Sequence, residues 1–88
     1  MELSEHCIQT LEKEGFTTIY EESESSNSTY ETHTHEYKVA VFVTEGSLEI
    51  TINGIVKTLQ PGDRANIPAN TPHSTIAGPE GCQLVLGE

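Results

Sequence analysis

The spacing of apolar and polar positions divides the chain into a short helical start and a long β remainder. Leu3, Cys7, Ile8 and Leu11 fall on one stripe at helical period. Ser4 is a suitable N-cap and Gly15 suits the C′ position, so the pattern predicts a helix over 4–14. Phe16-Thr17-Thr18-Ile19-Tyr20 then has the β-branched and aromatic content of a strand. Residues 21–31 are rich in Ser and Glu with almost no aliphatic anchor, which reads as a loop whose charge is solvated. Because that run leads directly into His33, it also stands where it would rim a pocket mouth and disfavour anionic ligands. Tyr37 to Thr44 is a near-continuous apolar run, the pattern of a strand covered on both faces. Ser47 to Asn53 alternates, with Leu48, Ile50 and Ile52 on one face and Glu49, Thr51 and Asn53 on the other. Asn53-Gly54 is a strong hairpin signal, and Ile55 to Leu59 returns from it. Pro61-Gly62-Asp63 is a turn, followed by strands at Arg64 to Pro68, His73 to Ala77 and Cys82 to Leu86. Short strands separated by regular turn signals predict an all-β sandwich or barrel.

Composition narrows the partners. Eighty-eight residues support one core, organised as an N-terminal helix over 1–15 and a β-barrel over 16–88. The net charge of −10 repels a phosphate backbone and an anionic membrane, so neither nucleic acid nor membrane is an expected partner. The longest apolar stretch, Val39-Ala40-Val41-Phe42-Val43, is far too short to span a bilayer. Met1-Glu2-Leu3-Ser4-Glu5 lacks the basic start and apolar run of a secretory signal, which sets a cytoplasmic expectation. In that compartment Cys7 and Cys82 read as free, mostly buried thiols. Small size also favours a partner copy or a bound metal as added stabilisation.

Three of the four histidines carry the chemistry. If His33-Thr34-His35 is extended, both imidazoles point to one side and can close on one ion. His73, from a strand distant in sequence, would complete a facial set of three nitrogens that leaves coordination positions open. His6 lies on the helix outside this pattern and reads as solvent-facing. Tyr30 and Tyr37 flank the pair and can pack a barrel mouth or offer a phenol to a ligand, which makes Tyr37 a weak catalytic candidate. Glu36 has the opposite parity to His35 and should face outward. Asp63 is placed to accept backbone N–H bonds in its turn, and Arg64 to form a surface ion pair.

The chain resembles the cupin superfamily, small jelly-roll barrels that hold a metal inside. The first family motif, G-x5-H-x-H-x3-E-x6-G, falls on Asn27, His33, His35, Val39 and Gly46. The second, G-x5-P-x-G-x2-H-x3-N, falls on Gly62, Pro68, Asn70, His73 and Ala77. Asn27 and Asn70 replace glycines mildly, since Asn is tolerated at positive φ. Val39 stands at the position of the motif glutamate and can neither ligate nor carry charge.

The resemblance implies a jelly-roll fold and a metal held by His33, His35 and His73. Nitrogen donors without a carboxylate suit Fe, Zn, Ni, Co or Cu better than Mg or Ca. Related three-histidine cupins include thiol and diketone-cleaving dioxygenases, so a dioxygenase-like reaction on a small organic molecule is one reading. A non-catalytic ligand-binding or sensor module, with or without metal, is the other, and a homodimer is expected in either case.

Overall fold

The computed structural model describes residues 2–88. Helix α1 spans Leu3–Lys13, and six strands follow: β1 Ile19–Glu24, β2 Thr29–His33, β3 Val39–Ile52, β4 Ile55–Leu59, β5 Arg64–Ile67 and β6 His73–Gly87. This is the antiparallel β architecture with a leading helix that the sequence pattern predicts.

The helix starts earlier than Ser4. Glu2 is its N-cap and makes no side-chain cap, while its carbonyl accepts the His6 N–H at 3.1 Å. At the other end Gly15 (φ 91°) takes the left-handed C′ position. Phe16 N–H donates to the Leu11 carbonyl and Gly15 N–H to that of Glu12, the paired bonds of a Schellman stop.

Two long strands organise the sheet. β3 and β6 pair antiparallel from Ala40↔Gly87 to Ile52↔His73. The N-terminal half of β3 also pairs β5, and the C-terminal half of β6 pairs β1. The other halves pair β4 and β2 respectively. The result is two four-stranded faces, β1-β6-β3-β5 and β2-β6-β3-β4, that share both long strands.

The sequence pattern places turns at Gly46 and around residues 78–81, dividing each long strand in two. The structure bends each strand instead. Gly46 pairs Cys82 and Leu48 pairs Ala77, so residues 78–81 of β6 bulge opposite Ser47. Pro79, which has no N–H to donate, sits in that bulge where it costs no ladder bond.

The loop expected over 21–31 is also corrected. Residues 21–24 belong to β1 and residues 29–31 to β2, leaving 25–28 as the connection. Backbone pairing with β6 over Ile19↔Gly87 to Glu24↔Cys82 supplies the order that side-chain hydrophobicity does not. The strand predicted at Phe16 to Tyr20 correspondingly begins only at Ile19.

Parity then sorts the core. Val39, Val41, Val43, Leu48, Ile50, Leu59, Ile67 and Leu84 form one buried cluster between the two faces. Ala40, Phe42 and Val85 have the opposite parity and pack beneath Cys7 and Leu11 of α1. This second layer explains the unbroken apolar run over Val39 to Val43. Arg64, expected in a surface ion pair, donates two bonds to Glu14 at 2.6 and 2.7 Å and ties the helix end to β5. Cys7 and Cys82 are free and buried, and Asp63 accepts the Gln60 N–H at 2.8 Å.

The bend makes a sharp prediction. A Cβ on Gly46 (φ 73°) would overlap the Gly81 carbonyl oxygen, a backbone atom that cannot swing away. Gly54 also has positive φ, 84°, yet a Cβ there meets open space. Gly46→Ala should therefore cost more than about 2 kcal/mol of stability and Gly54→Ala about 1 kcal/mol. Denaturant midpoints of the two variants check this ordering, and equal losses would remove the close-approach argument.

Candidate metal centre

The β2–β6 pairing builds the site. His33 ends β2 directly opposite His73, which begins β6. Strand pairing ends at His33, and His35 lies just beyond the strand. A loop bond fixes it instead: Asn70 N–H, on a residue at φ 58°, donates to the His35 carbonyl at 2.7 Å. The two motif segments thus meet through main chain as well as through side chains.

The three rings converge. Centroids of His33 and His73 are 4.2 Å apart, His33 and His35 4.9 Å, and His35 and His73 5.1 Å. One potential ligand atom from each lies within 4.8 Å of the other two. No carboxylate or thiol among the described residues joins that group. Three imidazoles at this spacing can hold a metal ion.

The ring nitrogens are already sorted. His33 Nδ1 lies 2.7 Å from the Glu31 carbonyl, and His73 Nδ1 lies 2.9 Å from that of Thr71. A carbonyl only accepts, so each Nδ1 must carry the proton, which leaves the Nε2 lone pair for a ligand. This is the outer-sphere arrangement that orients metal-binding histidines. His73 is only 4% exposed. Burial holds its imidazole below the usual range, and the neighbouring His33 and His35 act in the same direction against the pull of the Thr71 carbonyl.

The histidines open onto a cavity of about 210 Å³ between the two sheet faces. Its floor is apolar, with Val39, Val41, Leu48, Ile50 and Leu84. Val39 is buried and lines the cavity, where it contributes a methyl surface in place of a carboxylate. Tyr37 lines the cavity and stacks on His35, with ring centroids 5.3 Å apart and planes 18° apart. Tyr30 lines it as well, because a register shift between Tyr30 and His33 turns it inward opposite Thr75. Glu36 and His6 are exposed, as their positions predict.

What the sequence pattern did not place is the acidic wall. Tyr20, Glu22 and Glu24 share the inward parity of β1, opposite Leu86, Leu84 and Cys82, and line the same cavity with Glu88. The Tyr20 hydroxyl donates to Glu88 at 3.3 Å. Burial and then the Glu88 and Glu22 carboxylates push the Tyr20 phenol up to about 12. Burial and the nearby Glu22 also push Glu24 up, against opposing hydrogen bonding from Tyr30 and Ser28. The alternation Tyr20-x-Glu22-x-Glu24 was the available signal, but both faces of this strand are polar and the pattern does not say which is inside.

A family model described as a cupin domain matches residues 19–86, and the chain belongs to the cupin family. Among solved structures, an RmlC-like cupin from Shewanella frigidimarina is 21% identical with a TM-score of 0.74, over 80% of this chain and 62% of that one. A cupin-2 domain protein from the same organism is 25% identical with a TM-score of 0.70, over 80% and 67%. Oxalate decarboxylase from Bacillus subtilis, a protein with Mn(II) centres, is 24% identical with a TM-score of 0.72, over 78% and 20%. This chain therefore spans about three fifths of the first cupin and a fifth of the decarboxylase. No curated protein matches the chain.

The lowered His73 pKa has a defined consequence for the metal-free protein. A folded-state pKa below the unfolded value of about 6.5 means that the unfolded chain binds the proton first. The stability this group contributes is complete above that value and is lost as pH falls through the folded pKa. In a proton-detected NMR titration the His73 ring should titrate below 6.5. A midpoint at or above that value would contradict the burial argument.

Proposed function

We propose that this chain is a metal-dependent cupin in which His33, His35 and His73 hold one divalent transition metal through Nε2 and present it to a small organic ligand. The observation that carries the reading is the convergence of three imidazoles, two of them with Nδ1 engaged by backbone carbonyls. An all-nitrogen donor set favours Fe, Co, Ni, Cu or Zn. The Mn(II) centres of the similar decarboxylase support metal use in this fold, although its reaction belongs to a chain about five times the span matched here.

When bound, such an ion supplies Lewis acidity and, if redox-active, oxygen chemistry at its open positions. The chain's own residues do the rest. His33 and His73 are held in one tautomer by Glu31 and Thr71, so no ring must rotate to accept the ion. Val39, Val41 and Ile50 wall the cavity with apolar surface, which limits water around the histidines. Tyr37 braces His35 by stacking and offers a phenol for proton exchange with a ligand. Dioxygenase-like turnover and tight binding without turnover both fit this arrangement, and the metal-loaded site is common to the two.

Tag-free protein should take up one Co(II) or Zn(II) per chain. His73→Ala should weaken that uptake by more than about a hundredfold, beyond the loss caused by removing an outer-sphere partner. Elemental analysis after dialysis reads the stoichiometry, and a variant that retained metal at the wild-type level would exclude the site.

The proposed assembly is a homodimer within the cytoplasm. The support is structural asymmetry: α1 covers the outer side of the β1-β6-β3-β5 face, whereas Val56 and Ile76 are exposed on β4 and β6 of the other face. Sedimentation equilibrium should return twice the 9.6 kDa chain mass, and a single-chain mass at micromolar concentration would remove the dimer.

A further inference from the structure

The charge of the cavity is one-sided. Glu22, Glu24 and Glu88 line it, and no Lys or Arg does. The acidic residues are not spare metal ligands, since none joins the histidine group. They form a second pole of the same chamber. Three phenol rings, Tyr20, Tyr30 and Tyr37, share that lining. Aromatic faces and carboxylates without a competing base are the groups that hold an ammonium. At the other pole His73, almost wholly buried, lines the cavity with its Nδ1 engaged by the Thr71 carbonyl.

We infer that the cavity selects a small molecule carrying an ammonium group, which the wall of Glu22, Glu24 and Tyr30 binds while a donor atom of the same molecule faces the histidines. This rests on the metal reading for the donor end only; the ammonium end is a property of the wall. A dianion such as oxalate is the wrong charge for this chamber. Unmetallated, the lining offers such an anion three carboxylates and no fixed cation. Even with a divalent ion in place, those carboxylates outnumber the ion's two charges. The reaction chemistry of the similar decarboxylase is therefore not transferable by fold.

Ethanolamine and glycolate make a matched pair of probes, equal in heavy-atom skeleton length and opposite in charge. Each is titrated by two-dimensional NMR at pH 8, well above the ordinary carboxylate range. The titrations use metal-free and Zn(II)-loaded protein, wild type and the Glu22→Gln/Glu24→Gln double variant. Wild type should bind ethanolamine about tenfold more tightly than glycolate in the metal-free state, as two partly exposed carboxylates allow. The shifts should centre on β1 and Tyr30, and the double variant should lose the preference. Equal binding of the two probes, tighter glycolate binding, or a preference that survives in a folded double variant would overturn the inference. Failure of Zn(II) to bind would instead sink the metal reading and leave the metal-free comparison intact.

Discussion

The pairing of β3 with β6 is the constraint from which the remaining geometry follows. Each strand must serve two sheet faces, and each can do so only by bending where Gly46 and Gly81 come into backbone contact. On one side of the bend the pair is buried on both faces, under α1 outside and against the cavity inside. On the other side it carries β2 and β4 and ends at the Ile52↔His73 pair. That last pair delivers His73 to His33, and the β2 bulge delivers Tyr30 beside them. The histidine cluster is thus the far end of a ladder that bends many residues away where two glycines meet.

This arrangement explains why some features were legible in the sequence and others were not. Alternation in Ser47 to Asn53 and the Asn53-Gly54 hairpin could be read because one face of that segment is apolar and the other polar. Asn27 and Asn70 could be read as glycine substitutes, and both sit at positive φ, 57° and 58°. Gly46 could not be assigned correctly from sequence, because a glycine at positive φ serves a turn and a bulge equally well. Its role depends on what lies opposite, and its partner Cys82 is 36 residues away.

The acidic wall illustrates a different limit. Hydrophobic patterning locates an interior by contrast, and Tyr20 to Glu24 has little contrast to offer. Its order comes from main-chain bonds to β6, whose apolar alternation at Leu84 and Leu86 decides which β1 side chains turn inward. A Ser/Glu-rich segment is therefore ordered by its neighbour rather than by its own side chains. The same segment that reads as solvated surface in isolation becomes part of a cavity lining. Of that segment, Glu22, Glu24 and Tyr30 line the cavity itself.

Burial without compensation is costly, which bears on why the carboxylates are there at all. Glu22 and Glu24 sit on one strand face two residues apart, and burial followed by the Glu22 charge raises the cost of ionising Glu24. The Tyr20 phenol is raised as well, by burial and then by the Glu88 and Glu22 carboxylates. Apolar residues at those positions would extend the floor formed by Leu84 and Leu86 and stabilise the fold. Carboxylates kept in a cavity lined by no Lys or Arg among the described residues suit a ligand that brings positive charge from outside. The histidines can hold a cation at one pole of the cavity, and the inferred ammonium would meet the carboxylates at the other.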